Sequence, residues 1–244
     1  MKRFKWEITL GFCLMSISFL IYLIRFNIFK DVNNILNDLL GQLAFLPIYI
    51  FLSTIIIDSL LNKREKQIML KKLNMIIGSF YSEVGNVLID YFLVFDSDCN
   101  KACQTLDISS GWNVKKFDST RIFIKNYNYK VESRNGDLQE LKIFLSEKRG
   151  FLLNLLGNPN LFEHESFTEL LMAVFHLIEE LTLRMKLENL SHADYNHLSG
   201  DIKRAYILIM MEWLSYMKHL KEDYPYLYSL AVDTSPFNRL RAKS

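Results

Sequence analysis

Histidine and acidic residues are concentrated in one part of the sequence, where they could bind a metal or transfer protons. Four of the five histidines lie between residues 164 and 197. Two short patterns there, His176-x-x-Glu179 and Asp194-x-x-His197, pair an imidazole with a carboxylate three residues away. Di-iron bundles use Glu-x-x-His pairs on facing helices together with two further glutamates. These four residues are therefore one hypothesis for a metal site.

Helix geometry argues against a complete di-iron centre. Helices over residues 165–188 and 192–222 would pair antiparallel about a turn near residue 190. At about 1.5 Å per residue, His176 then lies roughly 21 Å from that turn and His197 roughly 10 Å. The two patterns would differ in height by about 10 Å, and the first also has the reverse residue order. We therefore expect His192 to be a helix-cap residue and His197 an exposed side chain.

The same geometry predicts a polar cluster between the two helices, because position 176 would face about position 204. An arginine suits such a place, since its planar guanidinium can bind a carboxylate through two parallel hydrogen bonds. Most clusters of this kind fix the register of two helices, and some form binding sites. We expect the structural role here. The predicted members are His176, Glu180, Asp201 and Arg204.

Other signals for chemistry are weak or missing from the sequence. It has no Gly-rich phosphate loop and no Gly-x-Ser-x-Gly elbow. Cys99 and Cys103 have no companion pair, whereas a structural zinc site uses four ligands. No cofactor is identified, and whether the protein is an enzyme stays open. The alternative to a non-catalytic role is a membrane-bound enzyme or metal-binding helical protein that uses the His176/Glu180/Asp201/Arg204 region.

The elements that must position these residues are amphipathic helices. The 165–188 helix has apolar residues at helical spacing, and Ser191 with Asp194 three residues later gives the 192–222 helix a capping-box-like start. Further helices are predicted over residues 113–130 and 137–156, with a last short helix after Pro225. Residues 96–112 are predicted to be a loop. A short strand through Phe117, Ile122 and Ile124 is a further possibility.

Two long apolar runs precede this region and predict transmembrane helices. No charged residue lies between Glu7 and Arg25 or between Asp38 and Asp58. These runs of 17 and 19 residues reach roughly 26 and 29 Å as helices, close to the hydrocarbon thickness of a bilayer. We predict spans over about 8–27 and 39–61. The first is expected to be an uncleaved anchor, because no small-x-small cleavage site follows it.

Basic residues predict the orientation of the spans. Lysine and arginine flank them at the N-terminus and at residues 63–72, whereas the connecting loop holds only Arg25 and Lys30. The positive-inside rule then places both termini in the cytoplasm of a multi-pass protein of the cell membrane. The basic collar would face anionic lipid. After residue 72 the chain has 19 basic and 22 acidic residues, so nucleic acid is not an expected partner.

The second span is predicted to continue as a helical stalk. Apolar residues after Asp58 follow a 3,4 spacing, which fits a coiled coil or, preferably, an amphipathic helix packed in a monomeric bundle. Small residues beside this stripe predict a packing groove. The stripe consists of Leu70, Leu73, Ile77, Phe80, Val84, Val87, Tyr91 and Val94, and the small residues are Gly78, Ser82 and Gly85.

Four segments resemble an uncharacterised family of prokaryotic two-span membrane proteins with a helical cytoplasmic domain. They are KKLNMIIGSFYSEVGN (71–86), EHESFTELLMAVFHLIEEL (163–181), HLSGDIKRAYILIMMEWLSYMKHL (197–220) and YPYLYSLA (224–231). The resemblance covers most of residues 39–238. It implies the same topology, and it implies no activity and no site residues.

The sequence thus predicts an all-α protein with four parts: a membrane anchor (1–61), a stalk or first bundle helix (62–95), a cytoplasmic helical domain (96–236) and a basic tail (237–244). The predicted function is a membrane-anchored interaction or sensory module that self-associates. Continuity between the second span and the stalk would let one side of the membrane affect the other. A flexible break between Asp58 and Leu70 would rule this coupling out.

Overall fold

The computed structural model describes residues 16–17, 20–21, 23–24, 27 and 32–237. Most of the predicted first span and nearly all of the basic tail therefore lie outside the described residues, and both stay predictions. The chain divides into two compact units, Met1–Lys66 and Gln67–Ser244.

Helices are the regular secondary structure of the described part of the chain, which confirms the all-α prediction. An isolated bridge joins Asp96 to Val131, and no strand forms among these residues. The helices are α1 (Val32–Phe80), a π-helical turn (Tyr81–Gly85), α2 (Asn86–Phe95), α3 (Cys99–Thr105), α4 (Val114–Asn126), α5 (Leu138–Leu156), a 3₁₀ turn (Pro159–Glu163), α6 (Glu165–Leu183), α7 (His192–Asp223) and α8 (Pro225–Asp233).

Two local predictions are corrected. The strand considered through Phe117, Ile122 and Ile124 is wrong, because α4 covers all three residues. The Asn113 side chain begins that helix by accepting a hydrogen bond from the Lys116 backbone N–H at 2.9 Å. The predicted loop over residues 96–112 contains the short helix α3.

One described helical stretch is long and apolar enough to cross a membrane, by length and composition. It runs over Gly41–Phe95. The most apolar 18-residue segment of this stretch is not buried inside the protein, whereas the core helix of a soluble domain is mostly buried. In length and apolar composition the stretch agrees with the predicted second span. Pro47 lies inside α1 without ending it, and the helix is continuous between Asp58 and Leu70.

The predicted apolar stripe is wrong at Leu70, which is exposed, correct from Leu73 to Val84, and displaced by one residue beyond Val84. Leu73, Ile77, Phe80 and Val84 are buried in the core of the second unit. Beyond them, Val87 and Val94 are exposed and Tyr91 is half-buried, whereas Leu88, Phe92 and Phe95 are buried. The π turn explains the shift, because it adds one residue to a single helical turn and rotates everything after it. The packed-bundle interpretation describes this segment.

Helix α7 is the central element of the second unit. It packs against α2, α4, α6 and α8. Its inward face is apolar and includes Ile202, Tyr206, Ile209 and Trp213, all buried. A 32-residue helix with so many neighbours gives its outward side chains fixed positions.

Candidate functional site

The site lies between α6 and α7, and the end of α6 determines its geometry. The helix stops at Leu183 because Arg184 adopts an extended conformation, with φ −84° and ψ 114°. The Arg184 guanidinium turns back and donates a hydrogen bond to the Glu180 carbonyl at 2.6 Å, satisfying one of the free carbonyls at the helix end. Asn189 has φ 56°, a left-handed conformation that asparagine tolerates, in the connection to α7.

Helix α7 begins as predicted. Ser191 is its N-cap, and the hydroxyl accepts a hydrogen bond from the Asp194 backbone N–H at 3.1 Å. The same hydroxyl donates to the Asp194 carboxylate at 2.6 Å. The capping-box-like interpretation of this segment is therefore confirmed, with the carboxylate bonded to the serine hydroxyl.

These helix ends correct the predicted height difference between the two histidines. The prediction assumed that α6 continues to residue 188, five residues too far. His176 lies seven residues before the observed end of α6, and His197 lies five residues after the start of α7. At about 1.5 Å per residue the two positions are almost level. The two imidazole rings meet edge to face, with their centroids 6.4 Å apart.

Two histidines and two carboxylates form a crossed arrangement. His176 and Glu180 lie four residues apart on α6, and His197 and Asp201 lie four residues apart on α7, so each pair shares a helix face. Each histidine lies beside the carboxylate of the other helix, as expected for an antiparallel pair. Three distances define the cluster: His176 Nε2 to Asp201 Oδ1 at 3.5 Å, His197 Nε2 to Asp201 Oδ2 at 3.3 Å, and His197 Nε2 to Glu180 Oε2 at 3.5 Å.

The carboxylates form the base of the cluster and the imidazoles form its rim. The side chains of Asp201 and Glu180 are 15% and 20% exposed, whereas those of His176 and His197 are 47% and 53% exposed. Asp201 Oδ2 is buried and has no hydrogen-bond partner in the described part of the chain, because its approach to His197 lacks hydrogen-bond geometry. The cluster is therefore open to solvent, with one unsatisfied oxygen beneath two imidazoles.

Arg184 organises the acidic side of the cluster. Its Nη1 lies 2.5 Å from Glu180 Oε2, and its Nη2 lies 3.5 Å from Asp194 Oδ1. The hydrogen bond from Arg184 lowers the pKa of Glu180 below its usual value. The hydrogen bond from Ser191 is the main cause that lowers the pKa of Asp194, with Arg184 adding to it. Both groups are held as carboxylates at neutral pH.

The structure brings together some of the predicted residues and separates others. His176, Glu180 and Asp201 of the predicted polar cluster lie together. Arg204 does not join them, because its guanidinium lies 3.7 Å from Glu169 on an exposed part of the surface. Glu179 is exposed and outside the cluster.

Two residues take places that the sequence analysis did not assign to the polar cluster. Arg184 supplies the guanidinium, and His197 supplies the second imidazole. Of the proposed metal ligands, His176 and His197 are close together, whereas Asp194 is linked to the cluster through Arg184. The i, i+4 spacings His176–Glu180 and His197–Asp201 are the sequence signal that could have placed both histidines in one cluster with the two carboxylates.

A second polar group is buried elsewhere in the same unit. Asp96 accepts a hydrogen bond from the Asp98 backbone N–H at 3.1 Å, while its Oδ2 and the hydroxyls of Tyr129 and Tyr206 have no partner among the described residues. Burial raises the pKa of Asp96 and raises that of the neighbouring Cys103 thiol to about 12. Cys99 and Cys103 are free thiols.

The two groups differ in how close their potential metal-ligating atoms lie. Within the described residues, His176, His197 and Asp201 form the one set of three or more His, Cys, Asp or Glu side chains whose donor atoms all lie within 4.8 Å of one another. The cysteine pair is therefore outside any such set. A separate cleft of ≈ 1040 Å³, lined in part by Arg134, Met185 and Tyr195, contains none of the cluster residues.

Fold and site together define a class: an all-helical protein with an apolar N-terminal helix and a histidine–carboxylate cluster between two antiparallel helices. The chain belongs to the MJ1433 family of uncharacterised helical proteins. Residues 69–233 match the domain described as "Uncharacterized protein MJ1433, C-terminal helical domain", and residues 2–61 match "MJ1433, N-terminal helical domain".

A curated relative supports the same assignment over almost the whole length. It is "Uncharacterized protein MJ1433" of Methanocaldococcus jannaschii, which is 43% identical over 234 residues, covering 96% of this chain and 94% of the relative. No solved structure matches the chain. The family and the relative have helical domains in common with this chain and assign it no activity.

Proposed function

We propose that this protein is a membrane-anchored helical module that works by interaction or sensing at the cytoplasmic face of the cell membrane. One observation carries the proposal: the apolar part of α1 exposes large side chains in every direction. The five consecutive residues from Ile48 to Leu52 are each between 50% and 71% exposed. Successive residues of an α-helix point about 100° apart, so five of them cover the full circumference.

Lipid is the environment that accounts for such a surface. Burying one Leu, Ile or Phe side chain stabilises a protein by about 1.5–3 kcal/mol. A helix that leaves ten such side chains in water therefore forgoes on the order of 15–30 kcal/mol of hydrophobic stabilisation. Monomeric soluble proteins rarely expose contiguous apolar areas of this size. An apolar segment of about 20 residues also matches the hydrocarbon thickness of a bilayer.

The charges at the end of this segment support the cytoplasmic orientation. Lys63, Arg64 and Lys66 follow directly after the apolar run, and Lys71 and Lys72 follow one turn later. Lysine and arginine near the end of a span favour the cytoplasmic side. The predicted first span over about 8–27 would return the N-terminus to the same side.

Self-association is part of the proposal. The continuous helix from Val32 to Phe80 offers a long surface for a second copy. The groove at Gly78 is occupied within the same chain, because a Cβ there would lie 3.1 Å from the Tyr216 hydroxyl. The mass of the protein–detergent complex tests this part, since a strict monomer would remove it.

Alkaline extraction of membranes tests the anchoring. The full chain is expected to stay in the membrane pellet in sodium carbonate and to be released by detergent. Replacing Phe51 and Ile55 by arginine should lower the membrane-bound yield, because each arginine at a span centre costs about 2.5–3.5 kcal/mol. Ile143→Arg is the matched control, since Ile143 is also an exposed apolar residue, on α5. Release of the unmodified chain by carbonate would refute the proposal.

A further inference from the structure

We propose that His176, His197 and Asp201 bind one divalent transition-metal ion of the zinc class, with Glu180 beside the ion in its outer shell. The site would give the helical domain a ligand, which goes beyond the membrane-anchored role and does not depend on it.

The spacing of the donor atoms fits a metal ion. Zinc binds imidazole nitrogen at about 2.0–2.1 Å and carboxylate oxygen at about 2.0–2.2 Å, usually in tetrahedral geometry. Two ligand atoms on such an ion are then roughly 3.4 Å apart. The observed distances are 3.5 Å from His176 Nε2 to Asp201 Oδ1 and 3.3 Å from His197 Nε2 to Asp201 Oδ2, and one donor atom from each of the three residues lies within 4.8 Å of the other two.

One atom of the site lacks the hydrogen bond that its burial requires. Among the described residues, the buried Asp201 Oδ2 has no hydrogen-bond partner, although His197 Nε2 lies 3.3 Å from it. Buried polar atoms are normally paired, and an unpaired one requires an explanation. A metal ion at this position would satisfy the oxygen and both nitrogens together.

The local charge also favours a divalent cation. The cluster contains the carboxylates of Glu180 and Asp201, and Arg184 links the Asp194 carboxylate to them, which gives three carboxylates and one guanidinium in or beside the cluster. With both imidazoles neutral, these groups carry a net charge of −2, which a divalent ion would neutralise. A neutral imidazole keeps a lone pair on one ring nitrogen and can therefore act as a ligand.

The ligand types select the class of metal. Imidazole nitrogen suits zinc, copper, iron and nickel, whereas calcium and magnesium prefer sites made of oxygen alone. Three protein ligands leave a fourth position for water, and the half-exposed imidazoles leave a path from solvent to the ion. Arg184 fixes the Glu180 carboxylate 3.5 Å from His197 Nε2, where it can accept a hydrogen bond from a bound water.

Ion pairing by protonated histidines is the competing explanation, and it predicts no metal affinity. The test uses the full chain in detergent, stripped of metal with a chelator. Zn²⁺ binding is then measured by competition with a chromophoric chelator. We expect one Zn²⁺ per chain. Asp201→Asn and His197→Ala should each weaken binding by more than about 100-fold, and Glu180→Gln by about 10-fold.

Matched controls separate the site from general surface binding. His192→Ala removes an exposed histidine on the same helix as His197, and Glu179→Gln removes the exposed neighbour of Glu180. Both should bind Zn²⁺ like the unmodified chain. Far-UV circular dichroism checks that each variant is folded, and Zn²⁺ should raise the melting temperature of the unmodified chain but not that of Asp201→Asn.

Two results would overturn the proposal. One is that the unmodified chain takes up less than one equivalent of Zn²⁺ in the competition assay. The other is that folded Asp201→Asn and His197→Ala variants bind Zn²⁺ as tightly as the unmodified chain. In either case the cluster would be a set of ion pairs that fixes the register of α6 and α7.

Discussion

Replacing Gly85 by alanine should destabilise the protein, although the same change stabilises most helices. Gly85 ends the π turn with helical dihedral angles, so its backbone tolerates a Cβ. The obstacle is space: an added Cβ would lie 2.5 Å from Tyr81 Cδ1 and 2.9 Å from Phe80 Cε1. Both distances are shorter than non-bonded carbon atoms allow.

Neither ring can move away without breaking other contacts. The Tyr81 hydroxyl donates a hydrogen bond to the Ile209 carbonyl at 2.9 Å, and the Tyr81 ring stacks on Tyr216 with centroids 5.3 Å apart. Phe80 packs edge to face against Phe167. Alanine gains about 1 kcal/mol of helix propensity over glycine, and overpacking a core costs about 1–3 kcal/mol. We expect a net loss of about 1 kcal/mol in the free energy of unfolding.

Thermal unfolding of the full chain in detergent, followed by circular dichroism, measures this effect. For a chain of this size, 1 kcal/mol corresponds to about 2–4 °C in melting temperature. The controls are Gly150→Ala and Gly200→Ala, both on helices and both with no atom within 4 Å of the added Cβ. These two should raise the melting temperature by about 2–4 °C. If Gly85→Ala raised the melting temperature as much as the two control substitutions do, the added Cβ would not clash with the two rings and the prediction would be wrong.

Three further predictions concern buried and capping groups. Tyr81→Phe should lose about 1 kcal/mol because the hydroxyl is hydrogen-bonded, whereas Tyr206→Phe should be neutral or stabilising because its buried hydroxyl has no partner among the described residues; melting temperatures compare the pair. Asp137→Ala should cost about 1 kcal/mol in the same assay, since the carboxylate caps α5 by accepting from the Gln139 and Glu140 backbone N–H groups at 2.8 and 2.9 Å.

The third of these predictions is a pH dependence. Burial raises the pKa of Cys103 from 9.0 in the unfolded chain to about 12. The stability that this group contributes is therefore complete below pH 9 and is lost as the pH rises towards 12. A Cys103→Ala variant should lose less stability between these pH values. Iodoacetamide should also modify Cys103 more slowly than a fully exposed cysteine thiol at pH 8, and an equal rate would contradict the burial.

The sequence predicted those helices whose boundaries depend on local chemistry. Ser191 starts α7 through its own side chain, and Asp137 after Gly136 starts α5 in the same way. Both signals lie within four residues of the boundary that they define. The apolar stripe from Leu73 to Val84 was likewise predictable, since it follows regular helical spacing.

The shift in the apolar stripe and the membership of the polar cluster depend on tertiary contacts, which the spacing of residues in the sequence does not reveal. The π turn places Tyr81 where its hydroxyl reaches Ile209, a residue 128 positions away. Helix α6 ends where the Arg184 side chain turns back and bonds to the Glu180 carbonyl. The amphipathic pattern of the sequence continues to residue 188 and so does not indicate this end. The end of α6 determines the level of His176 relative to α7. Because the predicted end was wrong by five residues, His176 and His197 were predicted to lie at different levels, whereas they lie side by side.

Labelling of introduced cysteines in intact cells tests the central claim, a two-span anchor with the helical domain in the cytoplasm, most directly. Asn34→Cys, in the segment between the predicted spans, and Ser146→Cys, on the exposed surface of α5, would be placed in a chain whose own cysteines are replaced by serine. A maleimide that cannot cross membranes should label the first in intact cells and the second only after lysis. Labelling of Ser146→Cys in intact cells, or protection of Asn34→Cys, would contradict this topology.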